Sequence, residues 1–253
     1  MLYYFGKMGD YMNVQDFINE LKKINIELTE EQVNQFNTYY EYLIEFNSHT
    51  NLTAITDKNE VYLKHFYDSL TLAKYVDLNS INTLVDVGTG AGFPGMVLKI
   101  AFPHLDITLL DSNNKKLKFL DDLIKKLNLI GIRTVHERAE EFARNNNLDK
   151  YDLVTSRAVA ALPVLTELCL PLVKVDGLFV ALKGSAGDEE LSISKNIIKK
   201  LNGDIIFDEK LSVVDNDDRT MIGIKKINKT PSGYPRDYGR IKKDYNRIIN
   251  GNK

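Results

Sequence analysis

The stretch Leu84-Val85-Asp86-Val87-Gly88-Thr89-Gly90-Ala91-Gly92-Phe93-Pro94-Gly95 narrows the choice of fold more than any other part of the chain. An apolar run passes directly into a glycine-rich turn, and a helical pattern follows. Glycines belong where the backbone takes positive φ and where a ligand approaches with no Cβ in its way. A strand, such a turn and a helix, in that order, open a βαβ unit. The next acid at the end of an apolar run is Asp111, 23 residues beyond Gly88. That spacing suits a carboxylate that accepts hydrogen bonds from both hydroxyls of an adenosine ribose.

Two adenosine ligands compete for this turn. Gly90-Ala91-Gly92-Phe93-Pro94-Gly95 satisfies the dinucleotide pattern G-x-G-x-x-G. Here, however, the pattern starts two residues late, after a glycine that already ends the strand. Asp86 also stands two residues before Gly88, where a carboxylate would repel a pyrophosphate and attract the sulfonium and ammonium of S-adenosylmethionine (SAM). A glycine-rich turn with no ligand is the plain alternative. Ala139-Glu140 after the third apolar run and Ser156-Arg157 after the fourth fall on the same sheet edge, where open α/β folds bind ligands. Spacing alone leaves Arg157 open between a surface ion pair and a functional role.

The rest of the chain is organised around this unit. The first 79 residues read as helical: Val14, Phe17, Ile18, Leu21 and Ile24 recur at helical spacing. Thr29 and Gln32 form a capping-box pattern ahead of Val33, Phe36, Tyr40, Leu43 and Ile44. A third helix is expected from Asn59 to Tyr75, with a polar loop at His49-Thr50-Asn51-Leu52-Thr53 before it. From residue 80, short apolar runs alternate with helical stretches: Leu84–Val87, Ile107–Leu110, Ile132–Val135, Leu153–Thr155 and Leu178–Leu182. Two late strands, Ile205–Val214 and Met221–Lys226, are separated only by Asp215-Asn216-Asp217-Asp218 and should pair as an antiparallel hairpin. The expected fold class is α/β, a Rossmann-like class I methyltransferase sheet. It is mostly parallel, carries a C-terminal antiparallel hairpin and follows an N-terminal helical segment. The expected division is 1–79 for that segment, 80–228 for the cofactor domain and 229–253 for a basic tail.

Charge adds a partner. Net charge is −2, yet from Lys225 to Lys253 nine Lys or Arg face Asp237 and Asp244, a local +7 that leaves −9 for the remaining 224 residues. A basic tail on an acidic body suggests a polyanionic partner, with a solvated terminus as the bland reading. Tyr234, Tyr238 and Tyr245 interleave with the charges and could stack on bases. No apolar run approaches the roughly 20 residues of a membrane span. The single cysteine, Cys169, fits a reducing compartment, so a cytoplasmic monomer with no membrane contact is expected. The four histidines, at 49, 65, 104 and 136, show no metal spacing.

Asn51-Leu52-Thr53, His65-Phe66-Tyr67-Asp68-Ser69, the glycine turn, Leu110-Asp111-Ser112, Ser156-Arg157-Ala158 and Leu182-Lys183-Gly184 occur in this order. Together they resemble the bacterial 16S rRNA (guanine-N7) methyltransferase family G, also called glucose-inhibited division protein B. The resemblance covers about residues 13–243. It implies SAM as cofactor and 16S rRNA or the small ribosomal subunit as partner, with methyl transfer to N7 of the guanosine conventionally numbered 527. By position it assigns Gly88, Gly90, Phe93, Asp111, Ala139, Glu140 and Arg157 to the cofactor. Asn51, His65 and Lys183 are expected to edge the guanine pocket. Arg236, Arg240, Lys242 and Lys243 are expected to bind RNA, with Lys225, Lys226, Lys229 and Arg247 beside them. Asp244 stands where the family's tail leads us to expect proline. Residues 1–11 precede the usual start, and Met12 is the expected initiator. No catalytic base is nominated, because N7 carries no proton; Arg157 is the one candidate for gripping cofactor or guanine. Two other readings compete: a methyltransferase of another acceptor, and a non-catalytic RNA-binding assembly factor.

Overall fold

The computed structural model describes residues 11–214 and 217–251, so all but Tyr11 of the expected extension, and two residues of the hairpin turn, fall outside it. Among the described residues a seven-stranded sheet has the order β3-β2-β1-β4-β5-β7-β6. Strands β1 (Thr83–Val87), β2 (Asp106–Asp111), β3 (Ile132–His136), β4 (Tyr151–Arg157) and β5 (Val173–Lys183) run parallel. β6 (Gly203–Val214) and β7 (Asp217–Lys226) form the expected hairpin, and β7 joins the sheet antiparallel to β5. Alternation along the strands sorts their side chains into two cores. Leu84, Ile107, Leu109, Leu153 and Val180 face one core, while Val85, Leu110, Val154, Phe179 and Ala181 face the other.

The N-terminal helices fill the first core together with α5 (Gly95–Ala101) and α6 (Asn114–Lys126), so Phe17, Phe36 and Phe66 pack in one cluster with Leu84 and Leu109. Helix α1 (Val14–Lys23) starts where the Asn13 side chain accepts from the Asp16 amide at 2.9 Å. Helix α2 (Glu30–Thr50) carries the capping box: Gln32 N donates to Thr29 Oγ1, and Thr29 N donates to Gln32 Oε1. Gln32 Nε2 also donates to Ile100 O at 2.7 Å, which locks the start of α2 to the end of α5.

The expected third helix forms with a widened middle. Helix α3 (Lys58–Val61) runs into a π-helical stretch, Tyr62–Tyr67, then α4 (Asp68–Leu70) and a 3-10 turn, Thr71–Lys74. π-helical turns commonly occur at functional sites. This one presents His65 and Phe66 side by side to the glycine turn.

The second core is closed by α7 (Ala139–Arg144), α8 (Leu162–Cys169), α9 (Gly187–Lys200) and α10 (Tyr238–Gly251). The tail is therefore helical over much of its length and contributes Ile241 to this core. Among the described residues no helix is long and apolar enough to cross a membrane.

Phe66 is the hinge of the first core. Its ring lies 5.1 Å from those of Phe36 and Tyr39, 5.0 Å from Tyr62 and 6.2 Å from Phe93 in the glycine turn. Deleting a fully buried ring removes its transfer energy and leaves a cavity. Phe66→Ala should cost about 3–5 kcal/mol in denaturant unfolding. A loss below about 1 kcal/mol would mean that the helical segment does not depend on this cluster.

Candidate active site

The expected site residues are spaced along one edge of the sheet because the five parallel strands all end there. Gly88 follows β1, Asp111 ends β2, Ala139 opens α7 after β3, Arg157 ends β4 and Lys183 ends β5. The glycine turn hangs on β2: Gly88 N and Thr89 N donate to Leu110 O at 2.8 and 3.1 Å. Gly88 has φ +70°, and a Cβ there would lie 2.3 Å from a Val159 methyl, so only glycine fits beneath the segment that follows β4. Gly90 is uncrowded: a Cβ there would meet only ordinary contacts, Gly88 O at 3.9 Å and Lys116 Nζ at 4.0 Å. Gly90 N donates to Asp111 Oδ2 at 2.9 Å, and Asn113 N donates to Oδ1 at 2.8 Å. A carboxylate has about four acceptor positions, so Asp111 keeps capacity on both oxygens for ligand hydroxyls.

Asp86 does something other than face a cationic ligand. It is fully buried under α5, where Oδ2 accepts from Thr89 Oγ1 (2.7 Å) and Gly95 N (2.9 Å), and Oδ1 accepts from Thr155 Oγ1 (3.2 Å). Strand direction explains the difference: Asp86 shares a face with Leu84, and that face lies under α5. Burial raises its carboxyl to about 6 despite these donors.

Arg157 sits at the centre of a cluster drawn from four distant stretches. Its Nη1 donates to Asp68 Oδ2 at 2.9 Å and to Lys64 O at 3.3 Å, and its Cζ lies 4.9 Å from the Phe93 ring centre. His65 stacks on Phe93 at 4.4 Å, and its Nδ1 is 3.4 Å from Arg157 Nη2. The other ring nitrogen, Nε2, is 2.9 Å from Thr53 Oγ1. Asn47 holds that polar loop, donating to Thr53 O and accepting from Thr53 N, both at 2.9 Å. Arg219 of β7 approaches Asp68 Oδ1 at 3.5 Å. Burial, then the Arg157 charge, lowers His65 to about 3, so the imidazole is neutral.

The remaining expected residues divide. Asn51 ends α2 in the left-handed region, φ +51°, with an exposed side chain. Lys183 Nζ donates to Ala160 O at 2.7 Å and pairs with Glu190 at 2.8 Å, which fastens the segment crossing Gly88. Glu140 is buried and pairs with Arg138 at 2.7 Å, while Ala139 is half-buried. Arg240, Lys242 and Lys243 are exposed on α10, which packs on α8. Arg236 is engaged instead by the buried Glu167, through Nε and Nη2 at 2.7 Å each, and by Asp244 at 2.5 Å. Lys226 is fully buried and pairs with Asp149 at 3.0 Å, so it offers RNA no charge. Sequence reasoning missed Asn47 and Arg219 and named Asp68 only as part of the His65–Ser69 motif, without its arginine partners. Nothing in their local patterns signals a partner so far along the chain. Among the described residues no group of three His, Cys, Asp or Glu is placed to hold a metal ion.

Residues 32–215 match the family described as rRNA small subunit methyltransferase G. The chain belongs to that family. It is 49% identical over 231 residues to the ribosomal RNA small subunit methyltransferase G of Bacillus subtilis, covering 90% of this chain and 96% of that one. Against the protein of the same description from Lactobacillus johnsonii it is 51% identical over 232 residues, covering 90% and 97%. Among solved structures, a SAM-dependent O-methyltransferase of Thermotoga maritima superposes with a TM-score of 0.50 at 15% identity, covering 75% of this chain and 73% of that chain. The YcgJ protein of Bacillus subtilis gives 0.51 at 13%, covering 65% and 100%. These two likenesses concern the fold alone. The family G motifs, scattered through the sequence, are in space neighbours of one glycine turn.

His65 makes this cluster sensitive to acid. Between about pH 6.5 and 3 the unfolded chain binds a proton at His65 that the folded chain refuses. Stability therefore falls as pH drops through that window. Asp86, whose folded value is raised, acts in the opposite sense between 3.8 and about 6, but it is common to any pair of variants. From pH 7 to pH 5, wild type should lose about 2 kcal/mol more stability than His65→Gln. Parallel pH profiles for the two proteins would contradict a buried neutral His65.

Proposed function

We propose that this chain transfers a methyl group from SAM to N7 of the guanosine numbered 527 in 16S rRNA, acting as a monomer in the cytoplasm. One observation carries the reading: the N-L-T loop, the His65–Asp68 turn, Phe93 and Arg157 meet beside a glycine turn whose carboxylate neighbour, Asp111, has acceptor capacity in reserve.

The residues fit the cofactor. The uncrowded face at Gly90 leaves room against the backbone, Asp111 can take both ribose hydroxyls, and Ala139 stands where an adenine would follow on the next strand end. When bound, SAM supplies a methyl group made electrophilic by its sulfonium. Guanine N7 brings a lone pair and no proton, so no residue need act as a base. What the chain contributes is placement. A neutral His65 adds no positive charge to a wall that must accept a cation, and Asp68 balances the charge of Arg157. Lys183, at the end of β5, and Asn51, exposed at the end of α2, would bound the guanine, and Arg240, Lys242 and Lys243 would meet phosphates in a salt-dependent way.

Calorimetry on the full chain tests this. SAM should bind, NAD should not, and Asp111→Ala should weaken SAM by roughly tenfold or more through the lost ribose hydrogen bonds. With small subunits or a 16S rRNA transcript as acceptor, the transferred methyl should map to guanine N7. Unchanged SAM binding in Asp111→Ala would overturn the site. Methylation of a different acceptor under the same conditions would overturn the substrate.

A further inference from the structure

We propose that the C-terminal segment 230–251 positions the cofactor's adenine by bracing α7, so that tail residues touching no ligand set the affinity for SAM. This rests on the reading that Ala139, at the start of α7, faces the adenine.

Helix α7 has six residues, fewer than two turns, and a helix of that length has little stability of its own. Its position must come from packing. Phe142 and Ala143 enter the second core, and both ends of the helix are held by one short stretch of tail. Arg138, immediately before the helix, lies with Cζ 4.6 Å from the centre of the Tyr238 ring. At the other end, Arg144 donates to Pro235 O from Nη2 (3.0 Å) and Nε (3.2 Å), and to Asp237 Oδ1 at 2.9 Å.

The brace is itself anchored. Arg236, inside the stretch that grips α7, makes its two-pronged pair with buried Glu167 of α8. Thr230 fastens the beginning of the segment, its Oγ1 donating to Asp149 Oδ1 at 2.7 Å. Asp149 lies just beyond α7, before β4. The tail thus spans from one flank of the adenine helix to the other, tied to the body at Glu167 of α8 and at Asp149. A shift of the first residues of α7 by a fraction of an ångström would change the fit of a planar base, and the brace opposes that shift.

Full-length variants separate this role from a merely structural one. Arg144→Ala should raise the Kd and the KM for SAM about tenfold, with kcat at saturating SAM unchanged and thermal melting confirming a folded protein, and Tyr238→Ala should raise the Kd for SAM by a similar factor. Tyr238→Phe, which keeps the ring under Arg138, should behave as wild type. Ala139→Phe, which would fill the adenine position, should abolish SAM binding. If Ala139→Phe binds SAM normally, the adenine assignment fails and the proposal with it. If Ala139→Phe abolishes binding while the tail variants match wild type, the adenine reading stands and the brace is overturned. A fall in kcat with KM for SAM unchanged would likewise overturn it, since that signals lost active protein and not a loosened pocket.

Discussion

A fully buried carboxylate organises the glycine-turn end of this molecule. Asp86 is buried among β1, α5 and β4, and each of its oxygens is met by a donor: Thr89 and Gly95 on one, Thr155 on the other. The three donors come from the glycine turn, the start of the following helix and the neighbouring strand. The carboxylate therefore fixes the turn against two elements at once, and its raised pKa of about 6 reflects the strain between burial and satisfied hydrogen bonds. A neutral side chain there would accept fewer bonds and leave an amide or a hydroxyl unpaired, which is costly in a dry interior. The shape of the glycine turn, including the approach of Val159 to Gly88, follows from where Asp86 holds it.

The second constraint is that the N-terminal helices form part of the site. Asp68 lies one turn beyond His65 on a helix widened into π geometry, and it meets Arg157 from β4 and Arg219 from β7. Two guanidinium groups near one buried carboxylate join the helical segment to the central strand β4 and, two strands away, to β7. The same arrangement keeps the imidazole of His65 neutral, first through its burial and then through the charge of Arg157 beside it. Packing and electrostatics thus agree: the ring that stacks on Phe93 is neutral and the arginine beside it is balanced.

What was legible in the sequence was whatever depends on local pattern. The strand runs around Leu84, Ile107, Ile132, Leu153 and Leu178 are all strands, the two late runs pair as a hairpin, and the Thr29–Gln32 cap forms as read. These features depend on period and on turn chemistry, which lie within a dozen residues of each other. Charge was less legible. Arg236 and Lys226 look alike in sequence to Arg240 and Lys242, yet the first pair is engaged by Glu167 and Asp149, each well over sixty residues away, and the second pair is exposed. A run of basic residues reports a net charge; which members face solvent depends on acids that the chain brings up only after folding. Asp244 illustrates the same point, since its part in the tail is defined by Arg236.

The chemistry explains why so much of the structure is devoted to holding things still. In the proposed reaction an unprotonated ring nitrogen attacks a sulfonium methyl, which needs neither acid nor base, so rate would depend on how well two ligands are aligned. Alignment is lost through small displacements, and the elements around the proposed site are short: a glycine turn, a π-helical stretch and a six-residue helix. None of them is rigid alone. Each is held by an ion pair or a buried hydrogen bond to a part of the chain distant in sequence: Asp86 to Thr155, Asp68 to Arg157, Arg144 to Asp237. The precision of such a site then resides less in the residues that touch the ligands than in the long-range pairs behind them.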